Sequence, residues 1–127
     1  MNKNIFKYDK YRLVTRSDFD GLVCAMILKE LGMLADIKFV HPKDVQDGLI
    51  ELTDNDILTN LPYDERAGVV FDHHESEISR NFKTLTETNA HYIIDPFAPS
   101  AARVVYDYFI KEHAGKLQRI STELMIE

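Results

Sequence analysis

Residues 67–71 (AGVVF) are the most constraining stretch of the chain. They are short, apolar, bounded by turn residues, and run straight into Asp72-His73-His74. Such a run reads as a buried strand. Other short apolar runs alternate with helical stretches along the chain. That alternation predicts an α/β fold, a mostly parallel sheet with helices on both faces.

The remaining elements follow from pattern and punctuation. Tyr11–Thr15 (YRLVT) predicts the first strand, and 18–21 a turn after it. A helix is predicted over 22–31, where Leu22, Ala25, Met26 and Leu31 fall near helical spacing, with Gly32 as its stop. A second strand is expected over 37–40, then a short helix over 42–48 with Pro42 in its first turn. Residues 56–61 (DILTNL) read as a third strand stopped by Pro62, and 92–94 as a later one ended by Asp95-Pro96. Ser100 suits a helix N-cap. Behind it Val104, Val105, Tyr108 and Phe109 form a core stripe of a helix ended by Gly115. Residues 117–127 predict a further amphipathic helix that stops without a capping signal.

Length and composition exclude several classes. A chain of 127 residues is one domain, and 45% hydrophobic with 28% charged residues is ordinary for a globular protein. No apolar run approaches the roughly 18–20 residues of a membrane span. The N-terminus has no signal-peptide core. The single cysteine, Cys24, excludes an internal disulfide framework. These features predict a cytoplasmic protein without a membrane partner. A net charge of −6 disfavours binding of duplex nucleic acid, which needs clustered cations. A small phosphate-bearing substrate, held locally, remains compatible.

Two clusters carry chemistry. Asp18-Phe19-Asp20-Gly21 follows the first strand, and Asp72-His73-His74 ends the 67–71 strand. Ligands of open α/β sheets bind at the carboxyl ends of strands. Carboxylates with imidazoles there suit Mn²⁺, Fe²⁺ or Zn²⁺ better than Ca²⁺. Taken alone, Asp-x-Asp-Gly is more often a turn and helix cap. Asp-His-His at the end of a buried strand is rarer, and the two clusters together favour a metal site. Arg16, beside the first cluster, suits a phosphate contact. Arg103, one turn into a helix, could reach an anion, although a solvated position is the more common fate. Asp95 suits capping of the next turn. His41 and His91 read as surface or turn residues, and Cys24 as core.

These motifs resemble the DHH phosphoesterase superfamily. That group includes family II inorganic pyrophosphatases, exopolyphosphatases and nanoRNA or pAp phosphatases. DFDG after the first strand resembles its first motif, and DHH its third. The stretches TRSDFDGLVCAMILKELG, DILTNLPYDERAGVVFDHHESE and IIDPFAPSAARVVYDYF are most similar to exopolyphosphatase-related members. The resemblance implies a metal-dependent phosphoesterase or phosphoanhydride hydrolase. Asp18, Asp20 and His73 would bind metal, Mn²⁺ ahead of Mg²⁺. His74 would face the substrate phosphate and Asp72 would support the cluster. Arg16 and Arg103 join as substrate-binding candidates. Polyphosphate, pAp or a short oligonucleotide would be the substrate, and a homodimer is among the assemblies allowed.

The chain also departs from the family pattern. Val14 and Arg16 stand where many members place extra ligands. Asn60 stands at the second-motif position, normally an aspartate bridging two metals. A neutral amide is the weaker ligand, so the resemblance implies weak metal binding. No fourth-motif aspartate is found before Glu127, so residues 1–127 read as a DHH domain incomplete at its C-terminus. The rival expectation is a degenerate domain that binds phosphate ligands or protein partners without turnover. A third reading, a phosphatase of the haloacid dehalogenase type, also uses Asp-x-Asp-Gly but leaves Asp-His-His without a role.

Overall fold

A computed structural model describes residues 6–73, 91–95 and 97–117. It contains five strands: β1 (Tyr11–Thr15), β2 (Leu34–Phe39), β3 (Asp56–Thr59), β4 (Val69–Asp72) and β5 (His91–Ile94). The helices are α1 (Phe19–Glu30), α2 (Pro42–Gln46) and α3 (Ala101–Leu117). The strands form one sheet in the order β2-β1-β3-β4-β5, and every pairing is parallel. All carboxyl ends therefore lie on one edge.

Side chains alternate between the two faces, as strand geometry requires. Leu13, Ile57, Val69 and Phe71 face a core shared with α1 and α3, containing Ile27, Leu28, Ala101, Val105 and Phe109. Val14, Leu58 and Val70 face a second core with Val45 of α2, Leu52, Leu61 and Ala67. Both faces of the central strands are dry, so these strands read as continuous apolar runs rather than alternating ones. Helices thus lie on both faces of a parallel sheet, as the sequence predicts.

Local chemistry explains most boundaries. Helix α1 starts earlier than its apolar spacing suggests, because Asp18 caps it: Asp18 Oδ1 accepts from the Gly21 amide at 2.8 Å. Residues 19–21, expected as a turn, are its first residues. It ends in a Schellman motif. Gly32, at φ +73°, donates to the Lys29 carbonyl, and Met33 donates to that of Leu28. Strand β3 stops at Thr59, two residues short of the expected end, because Asn60 turns into the left-handed region at φ 59°. Helix α3 runs through Gly115, expected as its end, to Leu117. The further helix expected over 117–127 otherwise lies outside the described residues.

One ion pair ties β1 to β3. Arg12 and Asp56 are register partners. The guanidinium binds the carboxylate through two bonds, of 2.7 and 3.0 Å, and also donates to the Glu51 carbonyl. Asp56 is 2% exposed and also accepts from the Thr53 amide at 2.8 Å. Removing one partner leaves the other charge uncompensated. Asp56→Ala is therefore expected to lower unfolding free energy by about 3 kcal/mol. Urea denaturation monitored by circular dichroism checks this, and an unchanged midpoint would contradict it.

Candidate active site at the carboxyl edge

Three neighbouring strands deliver polar groups to one edge. Strand β1 leads into Arg16 and Asp18, β3 into Asn60, and β4 into Asp72 and His73. Beneath them the Thr15 hydroxyl donates to the Thr59 carbonyl at 3.0 Å and accepts from the Thr59 hydroxyl at 2.9 Å. Both threonines are fully buried. Gly21 lets α1 pass close over this point. A Cβ there would stand 2.2 Å from the Arg16 carbonyl oxygen and 2.9 Å from Thr15 Oγ1. The glycine of DFDG is thus a requirement of close packing.

Asp18 and Asn60 come together. The Asn60 amide donates to Asp18 Oδ2 at 3.1 Å, and Arg16 Nε lies 3.8 Å from the same oxygen. The left-handed backbone at Asn60, which asparagine tolerates better than most residues, sets this position.

Asp20 turns elsewhere. Its Oδ2 accepts from the Ala101 amide at 3.0 Å and its Oδ1 from the Ala102 amide at 2.8 Å. A carboxylate at a helix N-terminus is favoured by both the open amides and the dipole. Asp72 is fully buried; Oδ1 accepts from the His73 amide at 2.8 Å and Oδ2 from the Tyr92 hydroxyl at 3.4 Å. Nothing in the sequence flagged Tyr92, which lies 20 residues away in the chain.

The remaining candidates separate. Arg103 pairs with Asp107 at 3.0 Å and lies over the Tyr106 ring, the arrangement of a helix-surface residue. Ser100 caps α3, accepting from the Arg103 amide at 3.1 Å. Asp95 closes a turn by accepting from Phe97, as expected, and His41 caps α2 through Nδ1. His74 lies outside the described residues, and so does the side chain of His91.

These contacts bear on metal binding. The Asp18 and Asp20 carboxylates already accept from protein donors on both oxygens. Among the described residues, no three His, Cys, Asp or Glu side chains converge as a cation site. The described residues therefore do not by themselves make the ligand set that the family resemblance implies.

No family model matches the chain, and no curated protein matches it. Among solved structures, it is similar to the pGpG-specific phosphodiesterase PggH of Vibrio cholerae. The two share 49% identity with a TM-score of 0.66, over 87% of this chain and 35% of PggH. The likeness is to a phosphoesterase. PggH supports the DHH-type resemblance at that level, and the present chain spans about a third of its length.

Two measurements follow from the site. Burial pushes the Cys24 thiol up, and the nearby Asp20 charge adds to this. With Cys24 wholly buried, a disulfide reagent at pH 8 is expected to label it only after unfolding. Rapid labelling of native protein would contradict this. Asn60→Asp replaces a donor by a second carboxylate facing Asp18. The metal-free variant is expected to melt roughly 3–5 °C lower, and Mn²⁺ should recover the loss. Differential scanning fluorimetry with and without Mn²⁺ checks both signs.

Proposed function

We propose that this chain is the DHH-type domain of a hydrolase acting on a phosphodiester bond of a short substrate. A linear dinucleotide ranks ahead of pAp and polyphosphate, and duplex nucleic acid ranks last. The observation that carries the reading is the 49% identity to a pGpG-specific phosphodiesterase. The shared carboxyl edge for Asp18, Asn60, Asp72 and His73 agrees with it. The net charge of −6 supplies no electrostatic track for a long polyanion.

Manganese dependence is part of the proposal and follows from the resemblance. Weak binding is expected of the described residues, because the first-motif carboxylates are engaged by Asn60, Gly21 and the start of α3. The exopolyphosphatase-related subtype is the narrower form of the same reading.

The engaged state of Asp20 also favours a second reading. A domain that keeps the fold, uses Asp20 as a helix cap and binds phosphate ligands without turnover would show the same contacts.

Steady-state assays of the full-length protein with pGpG, pAp, polyphosphate and duplex DNA, with Mn²⁺ and with chelator, separate the two. The enzyme reading expects chelator-sensitive turnover that is fastest on the dinucleotide. No turnover on any substrate, with phosphate-ligand affinity indifferent to chelator, would overturn it in favour of the binding module.

A further inference from the structure

A cleft of about 520 Å³ opens beside Asp18, between the end of β2 and helix α2. Pockets for small ligands start at roughly 300 Å³, so it can take one nucleotide unit. Its apolar wall is Phe39, Val40, Pro42 and Ile50, and Phe39 is 47% exposed. A large ring left half in water at a cleft mouth offers a face for stacking.

The charged groups in the cleft are Arg16, Lys38, Asp18 and Asp44. Asp18 is held by Gly21, Asn60 and Arg16. Lys38 makes no side-chain hydrogen bond or ion pair among the described residues, and neither does the Asp44 carboxylate. One cation and one anion, both unengaged, thus flank an apolar wall. Ammonium and guanidinium groups take phosphate. A carboxylate accepts from two adjacent N–H groups; the N1–H and N2–H₂ edge of guanine presents such a pair and adenine does not.

We propose that this cleft is a guanine-nucleotide subsite, with Phe39 stacking on the base, Asp44 reading its edge, and Lys38 with Arg16 holding the phosphate. It deepens the phosphodiesterase reading above and rests on it for the role of the nucleotide. The cleft would seat the guanosine unit next to the bond presented at Asp18.

The test is calorimetric binding of GMP, AMP and inorganic phosphate to the full-length protein. GMP holds no diester bond, so the measurement needs no turnover and does not depend on whether the enzyme reading survives. GMP is expected to bind at least tenfold tighter than AMP. Phe39→Ala should weaken GMP about tenfold and leave inorganic phosphate unchanged. Phe39→Trp should retain GMP affinity and, as the chain has no native tryptophan, report binding by fluorescence quenching. Asp44→Ala should bring GMP down to the affinity of AMP. Equal GMP and AMP affinities in the unaltered protein would overturn the proposal. So would a Phe39→Ala variant that keeps GMP affinity within twofold, or one that loses GMP and phosphate equally.

Discussion

The Asp20 carboxylate joins the two long helices of this fold. It sits in the first turn of α1 and accepts from the first two amides of α3, 81 and 82 residues away in the chain. Those amides have no partner within their own helix. With this link made, α1 and α3 pack together on one face of the sheet, against Leu13, Ile57, Val69 and Phe71. The same contact settles what Asp20 does in the described structure. An aspartate whose residue type and spacing suit metal binding here serves as an intramolecular cap.

The neighbouring pair follows the same logic at shorter range. Asp18 needs a donor for each oxygen at a crowded strand end. Gly21 supplies one through the helix amide, and Asn60 supplies the other from the adjacent strand. An aspartate in place of Asn60 would bring two anions together and require a cation between them. The asparagine removes that requirement. The carboxyl edge is thus stable without a bound ion, with Arg16 as the nearby positive charge. Asp72 is also satisfied within the protein, by the His73 amide and the Tyr92 hydroxyl.

Much of the architecture was legible along the chain because its causes are local. Tyr11–Thr15 was read to the residue, and Gly32 stops α1 in the left-handed conformation that glycine adopts without strain. Ser100 and Asp95 cap what their positions suggest. The errors also have local causes. Leu22 and Leu31 drew the helix too late and too long, since capping by Asp18 rather than apolar spacing sets the start. Gly115 was read as a stop, but an isolated glycine inside a helix is tolerated at a modest cost.

The site was less legible, because partners there are remote in sequence. Residue types and strand ends alone placed Asp18, Asn60, Asp72 and His73 on one edge: parallel strands end on the same side, and polar residues follow each apolar run. The sequence by itself determined that edge, together with the strands, most caps and the absence of a long apolar span. Only the tertiary structure decided which atom each carboxylate faces. Asp20 meets α3, Asp18 meets Asn60, and Asp72 meets Tyr92. Local pattern records a residue's neighbours within a turn or a pleat. Hydrogen bonds act over about 3 Å, and whether two groups separated by 20, 42 or 81 positions come within that range depends on strand order and helix docking, which no local pattern specifies.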